Sequence, residues 1–216
     1  MRELIQDTFY ELIKSYDRCI IDYCLMEDDY PHQGKRSHWN AVLFAMLKVI
    51  ERDIDYQMEA EIESSAEHGS AVEENASSWT LNMEKAECHP IDAAAFLHVP
   101  EIQRVDNFGN KFYDGEAQKC EDGQISYWHA FLDPPHGTGP VMENGKKIRK
   151  YYAPVDFEIV NRTLFPQGSD GLEVYEWTTD WSDYFDAGHE WWGAACWSVY
   201  DKALNRYAVI MVSATD

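Results

Sequence analysis

Basic residues are scarce in this chain. Eighteen Lys and Arg stand against 39 Asp and Glu in 216 residues, a net charge of −21, and such a surface repels the phosphates of a nucleic acid. Anionic membrane surfaces are disfavoured for the same reason. Long apolar runs are also missing. No stretch approaches the roughly 18 uncharged apolar residues of a membrane-crossing helix. Residues 1–19, "MRELIQDTFYELIKSYDRC", interleave charges with apolar side chains, unlike the apolar block of a secretion signal. A cytoplasmic location is the expectation.

Paired cysteines are lacking too. Cys19, Cys24, Cys88, Cys120 and Cys196 are odd in number and far apart, so reduced thiols are expected rather than a disulfide framework or a zinc ribbon. In a reducing compartment the sequon matches at Asn75 and Asn161 carry no meaning. HExxH, GxxxxGK[ST] and GxGxxG in a strand-to-helix setting are absent as well, so no cofactor is expected.

Aromatic residues, by contrast, are plentiful. With 8 Trp, 13 Tyr and 45% hydrophobic residues, the chain has the material to fill a sizeable core despite its charge.

Apolar residues from Leu4 through Phe9, Leu12, Tyr16 and Ile20 to Cys24 recur at three- and four-residue steps, which predicts an amphipathic helix from Arg2 to about Met26. "EDDYPHQGKRS" breaks the pattern, with Ser37 as N-cap of a second helix running from Trp39 to about Ser64. The two would form an antiparallel hairpin. The outer face of the second helix carries Glu51, Asp53, Asp55, Glu59, Glu61 and Glu63 against Arg52 alone, so packing has to hold it. The resulting division is a helical hairpin over 1–66, an acidic linker over 67–78, and a sheet region over 79–216.

In that last region "QISYWHAFLDPP" reads as a strand, "APVDFEIVNRTLFPQG" as a short helix with Pro154 in its first turn, "GLEVYEWTTD" as a strand, and "WSDYFDAG" as a helical turn capped by Ser182 or Asp180. "EWWGAACWSVY" and "YAVIMVSATD", joined by "DKALNR", suggest an antiparallel hairpin. The expected fold is α+β, an N-terminal helical hairpin packed on one face of a mostly antiparallel sheet.

Chemistry-bearing residues gather in a few places. Cys196 lies seven residues after His189, but an extended chain from 189 to 199 would put them on opposite faces, so Cys196 reads as a core residue. "HAFLDPPH" brings His129 and His136 within eight residues, and a third ligand from His189 would complete a metal site with a position open for water, Asp133 and Glu190 being further residues of ligand type. "DPPHGTGP" reads as a structural loop, and the basic "KKIRK", Lys146 to Lys150, as an exposed hairpin.

Asp180, Trp181, Asp183, Tyr184, Asp186 and His189 combine carboxylates with aromatic rings, the make-up of a surface that captures a basic protein. These features favour a non-enzymatic protein with a basic protein partner, an inhibitor- or immunity-like role being one concrete form of it. The alternative is a hydrolase using His129, His136, His189 and Glu190, with or without a metal.

Overall fold

A computed structural model describes residues 1–16, 19–68, 79–105, 111–114, 125–133, 140–143, 146–149, 152–189 and 193–213. In chain order it has β1 (Arg2–Glu3), α1 (Thr8–Ile13), β2 (Ile21–Glu27), α2 (Lys35–His68), β3 (Cys88–Ile91), α3 (Ala93–Phe96), β4 (Ile102–Val105) and β5 (Lys111–Tyr113). There follow α4 (Tyr127–Leu132), β6 (Pro140–Glu143), β7 (Lys146–Arg149), α5 (Pro154–Leu164) and β8 (Leu172–Trp177). A 3₁₀ turn (Asp183–Phe185), α6 (Asp186–His189), β9 (Ala194–Asp201) and β10 (Arg206–Ser213) complete it.

The class is α+β. Six strands form one antiparallel sheet in the order β1-β2-β10-β9-β8-β3, and β4-β5 and β6-β7 are separate hairpins. β9 and β10 occupy the middle and are buried along nearly their whole length. Their pleat divides the core in two. Ala195, Trp197 and Val199 join Ala208, Ile210 and Val212 on one face; Cys196 and Tyr200 join Tyr207, Val209 and Met211 on the other.

Each face then needs its own cover. The first half of α2 supplies Ala41, Val42, Ala45, Met46 and Val49 to the second face. Phe9 of α1, Phe96 of α3, the buried residues of α4 and Phe157, Val160 and Leu164 of α5 close the first. Helices therefore lie on both faces, where the sequence reading placed them on one, because two central strands without a polar side leave no face for water.

The N-terminal helix packs on the sheet as expected, but the predicted first arm of the hairpin is broken into strand, short helix and strand. Only Thr8–Ile13 is helical, started by Asp7, whose carboxylate accepts the Phe9 N–H at 2.9 Å. Ile21–Glu27 is instead β2, paired with β10 from Tyr207↔Met26 to Val212↔Ile21. A short apolar run satisfies helical and extended periods alike, and pairing with a central strand decides it. "YWHAFL" errs in the opposite direction: the expected strand is α4, with all six residues buried. A fully buried helical turn shows no polar alternation, so its run looks like a core strand.

The second helix begins at Lys35, after Gly34 at φ +58°. Ser37 lies inside it and turns its hydroxyl back to accept the Gln33 N–H at 2.9 Å, rather than capping the helix as predicted. α5, β8 and the capped turn at Ser182 stand where the sequence placed them. The final hairpin does too, though its connection is only residues 202–205, tightened by Asp201 accepting the Ala203 and Leu204 N–H groups. The predicted linker falls largely on residues outside those described.

Two charged contacts lock the layers. Arg206 of β10 donates to Asp7 Oδ2 at 2.6 Å and to the Leu164 carbonyl at 2.5 Å, tying α1 and α5 to the sheet. Tyr184 donates to Asp22 Oδ2 at 2.6 Å, fastening the 3₁₀ turn to β2. Burial pushes the Asp22 carboxyl above its usual value, opposed by the Tyr184 hydrogen bond and the charge of Arg52.

Two outcomes follow from this architecture. Trp197→Ala should cost about 3–5 kcal/mol in chemical denaturation, since its ring is fully enclosed. For Asp22, a folded-state value above the unfolded one means that the folded protein holds its proton more tightly, so this group's contribution falls as pH rises between the two values. Asp22→Asn should therefore raise the melting temperature at neutral pH, with the gain shrinking on acidification. A loss of stability at pH 7 would contradict that sign.

Candidate functional site

The chemically distinctive cluster lies on the α2 face of the sheet. Register aligns Glu173 of β8 with Tyr200 of β9, and Tyr200 with Tyr207 of β10. The three form a row across adjacent strands. His32, from the loop between β2 and α2, lies flat on the middle member, with its ring 3.9 Å from that of Tyr200 and 5° from parallel. Its two nitrogens reach the outer members: Nδ1 is 2.8 Å from the Tyr207 hydroxyl and Nε2 is 3.3 Å from Glu173 Oε1.

His38, in the first turns of α2, sits over the next row. That row aligns Tyr175 with Ser198; His38 Nδ1 is 2.8 Å from Ser198 Oγ, and its ring centroid is 4.7 Å from that of Tyr175. Ser198 Oγ also accepts the Trp177 Nε1–H at 2.8 Å. The second nitrogen of His38, Nε2, is buried without a hydrogen-bond partner. It faces Glu173 Oε1 at 3.5 Å, too long for a good hydrogen bond.

Ligand atoms of His32, His38 and Glu173 all lie within 4.8 Å of one another, and no other such trio occurs among the described residues. Each Nδ1 has a hydroxyl partner; in the tautomer where that hydroxyl accepts an Nδ1–H, the Nε2 lone pair is left for an ion, as the outer hydrogen bond of a metal-bound histidine leaves it. Burial, aided by nearby His32 and opposed by Ser198, pulls the His38 imidazole down to about 3, so at ordinary pH it is neutral and one ring nitrogen keeps a lone pair for coordination. His38 is 0% exposed, whereas His32 and Glu173 are 15% and 28% exposed. The cluster thus has a closed inner side and an open outer one. Two imidazoles and one carboxylate suit Zn²⁺ or Fe²⁺ and leave coordination positions for water or a ligand.

The residues singled out in the sequence lie elsewhere. His129 is buried in α4, stacked on Trp128 at 5.3 Å between centroids. His189, in α6 rather than in the strand, is exposed; its Nε2 lies 2.7 Å from Thr179 Oγ1 and its Nδ1 3.8 Å from Asp186. Asp133 follows α4. His136 and Glu190 fall outside the described residues. α4 packs in the core of one sheet face, while Trp181, Tyr184 and Phe185, which lead into α6, belong to the core of the other.

Of the expected binding surface, Asp180, Asp183, Asp186 and His189 are exposed. Trp181 and Tyr184 are buried and pack against Phe185. Asp183 accepts the Thr80 N–H at 2.6 Å and the Thr80 hydroxyl at 3.0 Å. Cys196 is a buried core residue, as read, and burial pushes its thiol well up, away from a reactive thiolate.

His32 lies in the helix-breaking stretch "EDDYPHQGKRS" and His38 directly after the proposed N-cap Ser37, and neither position carries a local sign of chemistry. They stand six positions apart across Gly34, and Glu173 comes 135 residues after His38, so only the packing of α2 and its leading loop on the sheet assembles the trio. Comparison with known protein families, curated proteins and solved structures found no match.

Removing the shared hydroxyl gives a direct check on this geometry. Ser198→Ala strands the Trp177 N–H and His38 Nδ1 in the core, at about 1–3 kcal/mol for each unpaired group in chemical denaturation. A loss within about 0.5 kcal/mol, typical of neutral surface changes, would mean that Ser198 is not their common partner.

Proposed function

We propose that the protein binds one divalent transition-metal ion through His32 Nε2, His38 Nε2 and the Glu173 carboxylate, and that it uses the remaining coordination positions for hydrolysis. The carrying observation is the buried, unpartnered Nε2 of His38, directed at a carboxylate and a second imidazole. A buried polar atom without a partner is rare in folded proteins, and an ion would satisfy it while neutralising Glu173. Zinc is the best match, because two histidines and a glutamate with an open fourth position make a known catalytic coordination set that lowers the pKa of bound water. This keeps the hydrolase alternative but moves it from His129, His136, His189 and Glu190 to a different trio.

The rival reading, capture of a basic protein, keeps its charge of −21 and the exposed carboxylates Asp180, Asp183 and Asp186. Trp181 and Tyr184 are in the core, so neither serves that surface as an aromatic anchor of the kind that concentrates binding energy. Charge alone speeds encounter more than it holds a complex.

The test is titration of chelator-treated protein with Zn²⁺, and with Co²⁺ as a spectroscopic probe. One equivalent should bind, visible Co²⁺ bands should appear, and at 100 times Kd the ion should add about 2.7 kcal/mol of stability. His38→Ala and Glu173→Gln should each weaken binding at least about tenfold, with Ser198→Ala about 10–100-fold weaker through loss of the outer partner. Absence of stoichiometric binding by wild type ends the metal reading. Tight binding with no chelator-sensitive turnover of activated esters or phosphoesters ends the hydrolytic one.

A further inference from the structure

α2 is apolar on two sides, and the sheet covers one of them. Its inward stripe, Ala41, Val42, Ala45, Met46 and Val49, is buried in the core. Leu43, Leu47, Ile50, Ile54 and Met58 follow one another at steps of four, three, four and four residues, the spacing of a second continuous stripe. At about 100° per residue the two stripes point roughly 150° apart. The outer one is open to solvent: Leu47 is 50% and Met58 55% exposed, and Leu43, Ile50 and Ile54 are half-buried.

The helix also outruns its support. From Ile50 to Glu59 no side chain is buried, yet the helix runs on to His68. Glu51, Asp55 and Glu59 stand four residues apart, a row of like charges that works against an isolated helix. Asp53 lies on the other flank of the outer stripe. The basic residues of this stretch are already held, Lys48 by Glu51 and Arg52 by Glu3, while Asp55 and Glu59 have no ion-pair partner among the described residues. An apolar seam between acidic flanks is complementary to an amphipathic helix whose polar side is basic.

We infer that the outer face of α2, from Leu43 to Met58, is the docking surface for a basic amphipathic helix of another protein. The apolar side of that helix packs along Leu47, Ile54 and Met58, and its Lys and Arg side chains meet Glu51, Asp53 and Asp55. Covering the stripe supplies the affinity; the charges speed encounter and choose the partner. A second copy of this chain is the wrong occupant, because it brings the same carboxylates and a further net charge of −21. The surface is distinct from the one around Asp180 to His189. It is also independent of the proposed metal centre, since His38 points to the sheet side of α2, where it meets Ser198.

The probe is a synthetic peptide of three Leu-Lys-Lys-Leu-Leu-Lys-Lys heptads, compared by calorimetric titration with a scrambled isomer of equal charge, in chelator so that the metal centre plays no part. The ordered peptide should bind one to one with a Kd on the order of micromolar, and the scrambled one at least about tenfold more weakly. Leu47→Gln with Met58→Gln, which keeps good helix formers at exposed positions, should weaken the ordered peptide at least about tenfold. Asp55→Asn with Glu59→Gln should weaken it and flatten its salt dependence, whereas Asp180→Asn with Asp186→Asn, which removes as much charge elsewhere, should leave it within about twofold. No saturable binding, equal binding of the two peptides, unchanged affinity in the Leu47→Gln, Met58→Gln variant, or equal loss in both charge variants would overturn the inference. So would sedimentation showing a wild-type dimer that Leu47→Gln with Met58→Gln dissociates, since a second copy would then fill this face. The two peptides on wild type decide the matter even if a variant fails to fold.

Discussion

The β9–β10 pair is buried on both sides, and most of the molecule follows from that. Strands with Trp197, Val199, Ile210 and Val212 on one face and Cys196, Tyr200, Val209 and Met211 on the other cannot leave either face to water. Two helical layers are therefore required, α2 on one side and α1, α3, α4 and α5 on the other. β2 and β8 flank the pair and continue both cores outwards. Arg206 belongs to the same constraint: set in a central strand, it reaches Asp7 and the Leu164 carbonyl, so the helix ends are held to the sheet that they cover.

The same pleat produces the candidate metal centre. Alternation puts Glu173, Tyr175 and Trp177 of β8, Ser198 and Tyr200 of β9 and Tyr207 of β10 on the α2 face. A polar group in so dry a layer has to be met by another. Ser198 is met by Trp177 and His38, and Tyr207 by His32. Once both imidazoles are anchored by Nδ1, their Nε2 atoms have little choice but to converge on Glu173. An ion there would join loop, helix and sheet at one point, so its binding energy would also hold α2 against the core. Burial keeps His38 neutral and therefore ready to coordinate, at the expense of a stranded nitrogen when no ion is bound.

Different parts of the chain were legible to different degrees. α5 was readable because Pro154 and the Pro166–Gly168 pair bracket an 11-residue amphipathic stretch, which leaves no competing interpretation. β8 and the β9–β10 hairpin were readable from turn signals around apolar runs too short for helices. β2 and α4 were misread for one reason: largely buried segments of six or seven residues have too few polar positions to mark a face, and periodicity is the only local clue to their state. The aromatic residues of "WSDYFDAG" were similarly ambiguous. Trp181 and Tyr184 alternate with carboxylates in sequence, yet the 3₁₀ turn directs the rings inwards and Asp183 outwards to Thr80.

The chain by itself determined its acidity, the aromatic wealth of its core, the α+β class and the positions of elements bounded by proline and glycine, since these depend on composition and on contacts a few residues apart. Tertiary structure decided which apolar runs are strands, which sheet faces are covered, and which histidines matter. His32, His38 and Glu173 come from three elements separated by up to 141 residues. No local pattern marks them, because their chemistry arises from the register of β8, β9 and β10 and from the helix laid across it.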